Sequence, residues 1–306
     1  MPRRREISRS AKLISAIRNK QVDKVRSLLK KGADPNYFSE ENGQYALFFA
    51  FTFSDVILEM LIDHPDIDLT VVDGDGKNIL HHVASYGLND IIVKLLAKGM
   101  DVNHQDDHEG TPLKEAIEGG HLLTARLLIT NGATFENDDV EIIIANYDHN
   151  PGSFETFRAM VNCRKENGYE DIESWLVCSV ETSNVEVFEY LLTTFPEWTK
   201  IAMGYRADHQ LTLLHLTENI DIARKLIDYI NINVIDDRNR TVLHIAVDND
   251  MVEMIRFLLE YGIDETIKNN DGLTAEELAI QYDNTSIEIF KEWRESATDV
   301  KGAIED

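Results

Sequence analysis

The residues best suited by type to do chemistry lie in short polar stretches between apolar runs. Asp73 and Asp75 have the spacing of the first two ligands of a calcium loop. Such a loop needs an oxygen ligand at its fifth position and glycine at its sixth, and Lys77 and Asn78 stand there instead, so no calcium site is expected. His104, Asp106, His108 and Glu109 are metal-ligand types within one short stretch. A metal centre also needs a fourth ligand in register and a second shell that orients the first, and the stretch supplies neither. Solvated turn residues are the better account. His81, His215 and His244 are general bases by type, and Cys163 and Cys178 are nucleophiles if something lowers their pKa. No phosphate-binding G-x-x-x-x-G-K-[ST], dinucleotide-binding G-x-G-x-x-G, nucleophile-elbow G-x-S-x-G or zinc-binding H-E-x-x-H accompanies them. The expectation is a protein that is not an enzyme and holds no cofactor and no metal.

The elements that position these residues follow from composition and periodicity. A chain of 306 residues that is 43% hydrophobic with six prolines can bury a sizeable core. No apolar run reaches the roughly 18 residues a membrane-spanning helix needs, and no apolar segment follows the charged start, so neither a span nor a secretory leader is expected. Two cysteines suit a reducing compartment, the cytosol or, given the basic N-terminus, the nucleus. The net charge of −25 is uneven: residues 1–31 hold eleven Lys or Arg against Glu6 and Asp23, which leaves −34 on the rest. An acidic body repels nucleic acid and anionic membrane and attracts basic partners.

The chain repeats itself about every 33 residues. From Gly76 it reads G-K-N-I-L-H-H-V-A-S-Y-G-L-N-D-I-I-V-K-L-L-A-K-G-M-D-V-N, from Gly110 G-T-P-L-K-E-A-I-E-G-G-H-L-L-T-A-R-L-L-I-T-N-G-A, and from Arg240 R-T-V-L-H-I-A-V-D-N-D-M-V-E-M-I-R-F-L-L-E-Y-G-I-D. Ile91/Ile92 with Leu95/Leu96, and Met254/Ile255 with Leu258/Leu259, are spaced for one helix face. Gly99, Gly132 and Gly262 follow as left-handed C-caps.

These residues resemble the ankyrin repeat. Thr111-Pro112-Leu113 gives its opening, with Lys114 where the family has His; Leu80-His81, Leu214-His215 and Leu243-His244 keep that His. Gly120-His121 gives the helix turn, and Gly32-Ala33-Asp34-Pro35-Asn36 and Gly99-Met100-Asp101-Val102-Asn103 give the tail. The resemblance implies an all-α fold, an α-solenoid of roughly nine repeats counted with two caps. The units fall at about 11–41, 42–74, 75–108, 109–138, 139–171, 172–208, 209–238, 239–270 and 271–296. Residues 1–10 are expected as a basic flexible N-terminus and 297–306 as a disordered tail. The repeats at 139–208 are divergent, marked mainly by Phe157, Met160 and Val161 and by Val187, Phe188, Leu191 and Leu192. An extended connection from Lys200 to Gln210, with Trp175, Phe195, Pro196 and Trp198 in the same stretch, makes this the place for a hinge or a concealed activity. Within the repeat, the histidines are the family's structural His, and Cys163 on an outer helix and Cys178 on an inner one are small buried hydrophobes.

By the same resemblance, partners lie on the concave side formed by β-turn fingertips and inner helices. The fingertips are Val72 to Lys77 with Asp73, Asp75 and Lys77; His104 to Glu109 with His104, Asp106, Asp107 and Glu109; Asp236, Asp237, Arg238 and Asn239; and Asn269 to Asp271. The inner-helix positions expected to face the groove are Phe48, His82, Tyr86, Glu115, Glu118 and Asn249. The fold implies a protein-protein interaction scaffold or adaptor whose acidic groove takes a basic protein or peptide, with monomer as the expected state. The alternatives are a host-directed effector of an intracellular bacterium or virus that binds in the same way, or a concealed activity in residues 139–208. Asn36 and Asn103 stand in contexts resembling those hydroxylated in ankyrin repeats.

Overall fold

A computed structural model describes residues 2–146, 151–167, 173–195, 204–283 and 285–302. Its helices come in pairs, inner then outer. The first pairs are α1 (Pro2–Arg18) with α2 (Val22–Lys30), α3 (Ala46–Phe53) with α4 (Asp55–Ile62), α5 (Ile79–Ser85) with α6 (Asn89–Ala97), α7 (Pro112–Glu118) with α8 (Leu122–Thr130), and α9 (Asn137–Ala145) with α10 (Pro151–Asn167). There follow α11 (Glu173–Glu181) with α12 (Val185–Thr194), α13 (Leu213–Leu216) with α14 (Ile220–Ile227), α15 (Val242–Asp248) with α16 (Val252–Tyr261), and α17 (Ala275–Tyr282) with α18 (Ser286–Gly302). A short antiparallel hairpin, β1 (Phe38–Ser39) with β2 (Gln44–Tyr45), precedes α3 and pairs Phe38 with Tyr45 and Ser39 with Gln44. The fold is an all-α ankyrin solenoid.

The chain divides into two compact units, with the division at Ile143/Ile144 and again between α10 and α11. In the first, α1, α3, α5 and α7 stack on one another as an inner layer and α6, α8 and α10 run alongside as an outer one. In the second, α11, α13, α15 and α17 form the inner layer, and α12, α14, α16 and α18 the outer. The outer helices α2 and α14 are amphipathic, α2 burying Val25 and Leu29 and α14 burying Ile222, Ala223 and Leu226, whereas the inner α3 buries the consecutive residues Ala46 to Ala50. Neither helix of a pair covers its own apolar face, so stacking makes the core.

Local chemistry fixes the ends. Inner helices start at Asn78, Thr111 and Thr274, whose side chains accept from backbone amides one turn on. Outer helices stop where Gly99, Gly132 and Gly262 take φ of 84°, 92° and 90°, a conformation that only glycine enters freely.

The two ends are helical where they are described, and one expectation, that the cysteines are buried, is corrected. Residues 2–10 are helical as part of α1: Pro2 sits at the start, where its missing N–H costs nothing, and no breaker follows. Arg9 donates to the carbonyl of Lys31 (2.5 Å) and Ser10 Oγ accepts from the amide of Asp34 (3.1 Å), which holds this helix against the next turn. At the other end α18 continues past Ser296 to Gly302, because no proline or glycine interrupts it sooner. Cys163 on α10 and Cys178 on α11 are only half-buried. In the divergent stretch, α10 buries Phe157, Met160 and Val161, α11 buries Trp175 and α12 buries Val187, Phe188 and Leu191. Leu192 is half-exposed. Pro196, Trp198 and the start of the Lys200–Gln210 connection lie outside the described residues.

Candidate functional site

Each finger that leads into an inner helix is built on one side chain. Asp73 Oδ1 accepts from the amides of Asp75 (3.0 Å) and Lys77 (2.9 Å), while its own amide donates to the carbonyl of Lys77 (2.9 Å). Asp106 does the same with His108 and Gly110, Asp236 with Arg238 and Arg240, and Asn269 with Asp271 and Leu273. The fingers are also linked to each other: the amide of Asp107 donates to the carbonyl of Asp75 (3.0 Å), and that of Asn270 to Arg238 (2.9 Å). The fourth residue of each turn lies at positive φ, as Gly76, Glu109, Asn239 and Gly272.

This geometry sorts the acidic fingertips into two kinds. Asp73, Asp106 and Asp236, expected at the partner surface, are turned inward and consumed by the turn. Burial by itself would push their carboxyls up, but the amides of each loop outweigh it and hold them below the usual carboxylate range. His82 adds to this at Asp73 (2.8 Å) and Arg240 at Asp236 (2.8 Å). Asp75, Asp107, Glu109 and Asp237 are exposed instead. Of these, Asp237 lies 3.0 Å from His209 Nδ1, whereas the other three make no ion pair among the described residues. A countable signal separates the two kinds, and our reading of the sequence missed it: the inward residue stands five positions before the helix N-cap, Asp73 before Asn78, Asp106 before Thr111, Asp236 before Thr241 and Asn269 before Thr274.

The inner-helix candidates divide similarly. Phe48 does not face outward: it is 1% exposed, because it occupies the position of the motif histidine and packs its ring against Tyr45 and His82. Lys77 is half-buried and bonded to Glu115 at 2.6 Å, with Asp106 at 3.9 Å, and the bond to Glu115 holds its ammonium above the usual lysine range. His104 is half-buried, its ring 5.6 Å from that of His81. Tyr86, Glu118, Arg238 and Asn249 are exposed. Among the described residues no group of three or more His, Cys, Asp or Glu is placed to hold a metal ion. Among the described residues no helix is long and apolar enough to cross a membrane.

Where the motif histidine is present it ties its inner helix to the next finger. His81 Nε2 lies 3.1 Å from the carbonyl oxygen of Gly110, and His215 Nε2 lies 3.2 Å from that of Arg240. Burial pushes both rings below the ordinary histidine value.

Residues 13–106, 56–139, 194–269 and 212–292 match the family described as ankyrin repeats (3 copies). The chain is 25% identical over 274 residues to an ankyrin repeat protein of Acanthamoeba polyphaga mimivirus, covering 87% of this chain and 34% of that protein. It is 30% identical over 138 residues to the nuclear factor NF-kappa-B p105 subunit of Gallus gallus, covering 44% of this chain and 13% of that one. Among solved structures it is similar to the human ASB11 ankyrin repeat domain, with a TM-score of 0.52, 22% identity and coverage of 66% of this chain and 92% of that chain. It therefore spans about a third (34%) of the first of these curated relatives and 13% of the second. Repeats of this kind are in general protein-protein interaction modules and typically not catalytic. With its fingers, histidine ties and paired helices matched along most of its length, the chain belongs to the ankyrin-repeat family.

Proposed function

We propose that this chain is a non-catalytic adaptor that binds a basic protein or peptide through its fingertips and the exposed positions of its inner helices. The observation that carries this reading is the split among the finger acids. In the first unit the two turns use one carboxylate each, Asp73 and Asp106, and the unit nevertheless adds Asp75, Asp107 and Glu109, exposed and without an ion pair among the described residues. Like charges gathered on linked loops repel one another, and a cationic partner relieves that repulsion. The divergent stretch supports the same reading over a concealed activity, since α10, α11 and α12 bury apolar faces as ordinary repeat helices do. The chain acts as a monomer in the cytosol or nucleus.

The test is titration of a short fluorescent peptide alternating lysine and glycine, at low and at moderate salt. The wild type binds it, more weakly as salt rises. The variant Asp75→Lys/Asp107→Lys/Asp237→Lys loses the binding while its melting curve stays near that of the wild type, because these side chains carry no finger. Equal binding by the variant would sink the acidic-fingertip reading.

A further inference from the structure

The first unit carries an exposed aromatic corner that charge complementarity does not explain. Phe51 on α3 and Tyr86 at the end of α5 have ring centroids 5.2 Å apart and planes 83° apart, and Phe51 stands 5.3 Å from the ring of His82. His82 is fixed in turn by its bond to Asp73. Tyr86 is 67% exposed, although a ring of its size gains from burial when a partner surface is at hand.

Two rings at right angles offer two π faces to one point. That suits the compact ammonium of lysine better than the planar guanidinium of arginine, which stacks flat on a single ring. Carboxylates lie on the adjoining elements: Asp75 on the finger that leads into α5, and Glu118 on α7, the helix stacked on α5, both exposed and without an ion pair among the described residues. The chain already pairs a cation with a ring of the same helix α3, where the Arg18 guanidinium lies 5.7 Å from the centroid of Phe49 and donates to Asn42. Among the described residues no cation stands over Phe51 or Tyr86.

We propose that the Phe51/Tyr86 corner receives a lysine side chain of the basic partner, whose ammonium is held by the two ring faces on a unit whose exposed carboxylates draw the basic partner in. This rests on the reading that the partner is basic, and names the side chain it must present.

The probe is the alternating lysine and glycine peptide, with an arginine copy beside it. In Phe51→Leu/Tyr86→Leu the apolar bulk remains and the π faces go, so affinity for the lysine peptide falls about ten-fold with its salt dependence unchanged. Tyr86→Phe keeps the ring and binds as the wild type does. The arginine copy loses less than the lysine peptide in the double variant. Should the double variant not fold, Tyr86→Leu alone serves, since that side chain is largely in solvent, with an expected loss of about three-fold. Unchanged affinity in the leucine variants, alongside loss in the charge-reversed fingertip variant, would overturn the corner and leave the basic-partner reading standing. A wild type that ignores the lysine peptide overturns both. A loss in Tyr86→Phe as large as in Tyr86→Leu, or an equal loss for the arginine copy, would also reject the corner as a lysine site.

Discussion

His244 Nε2 lies 3.2 Å from the carbonyl oxygen of Leu273, while its Nδ1 faces the amide and hydroxyl of Thr241 at 3.2 and 2.9 Å. Since the amide can only donate, Nδ1 must accept, and the single ring proton belongs on Nε2, where it bonds the carbonyl of the next finger. His215 repeats the arrangement with Thr212 and Arg240. Both rings are therefore neutral in the fold, and a second proton would point at a donor.

That geometry predicts an acid-sensitive fold. Burial pushes His215 and His244 below the ordinary value of 6.5, which the unfolded chain retains. Between the depressed folded value and about 6.5 the unfolded chain binds more protons, so stability rises with pH across that interval. The histidine contribution is complete above about pH 6.5 and is lost as pH falls toward the folded value. A second loss follows below the carboxylate range, as Asp73, Asp106 and Asp236, held low in the fold, become protonated. Calorimetric melts at pH 7, 6 and 5 should show Tm falling in step. His244→Gln should cost about 1–3 kcal/mol at pH 7 and flatten the dependence between pH 7 and 5, and an unaltered slope would mean that His244 does not titrate on unfolding.

The fingers predict opposite effects for two substitutions at equivalent places. Glu109 holds φ of 64° where Gly76 holds 78°. A left-handed conformation costs a residue with a Cβ about 1–2 kcal/mol, somewhat more than the extra unfolded-state entropy of glycine, roughly 0.5–1 kcal/mol. Glu109→Gly should therefore stabilise by about 0.5 kcal/mol, and Asn239→Gly by less, since asparagine tolerates this region. Gly76→Ala should destabilise, by more than the conformational cost alone, because a Cβ there would stand 2.8 Å from the backbone nitrogen of Asp107. Urea unfolding of the three variants orders them, and a destabilised Glu109→Gly would refute the account of strain.

Most of this frame is legible from the chain, for physical reasons that differ by element. The outer helices and their glycine stops follow from spacing, because a buried stripe and a left-handed cap each restrict residue type strongly, as at Leu95/Gly99 and Leu258/Gly262. The direction of individual side chains is not carried by type. Asp106 and Asp107 are neighbours of identical chemistry, and only the turn's hydrogen bonds send the first inward and leave the second in water. Phe48 misleads for a related reason: an aromatic in the position of the motif histidine reads as a contact residue, yet Phe48 is as buried there as His81 and His244, whereas Lys114 in the same position is exposed. The hairpin at Phe38–Tyr45 replaces the ordinary finger without a repeat signature to announce it.

One finger lacks its organising side chain, and restoring it is the sharpest test of the turn's energetics. The amide of Ala207 donates to the carbonyl of Leu211 (2.8 Å), the same closure that Asp73, Asp106, Asp236 and Asn269 make, and Ala207 stands five residues before the N-cap Thr212. The link to the next finger is present too, since the amide of Asp237 donates to the carbonyl of His209 (2.9 Å). Alanine has no oxygen to accept from the amides of His209 and Leu211, and this is the turn in which two successive residues, His209 and Gln210, take positive φ, at 60° and 59°. Ala207→Asn supplies the acceptor without adding charge, as Asn269 does in its own turn. Two hydrogen bonds gained, less the ordering of one side chain, should stabilise by about 1 kcal/mol, and amide exchange at His209 and Leu211 should slow. Replacement by Ser, too short to span both amides, should give less than half of that gain. Equal stability of the Asn and Ala chains, with unchanged exchange, would mean that the turn is set by its neighbours and not by the side chain that the other fingers share.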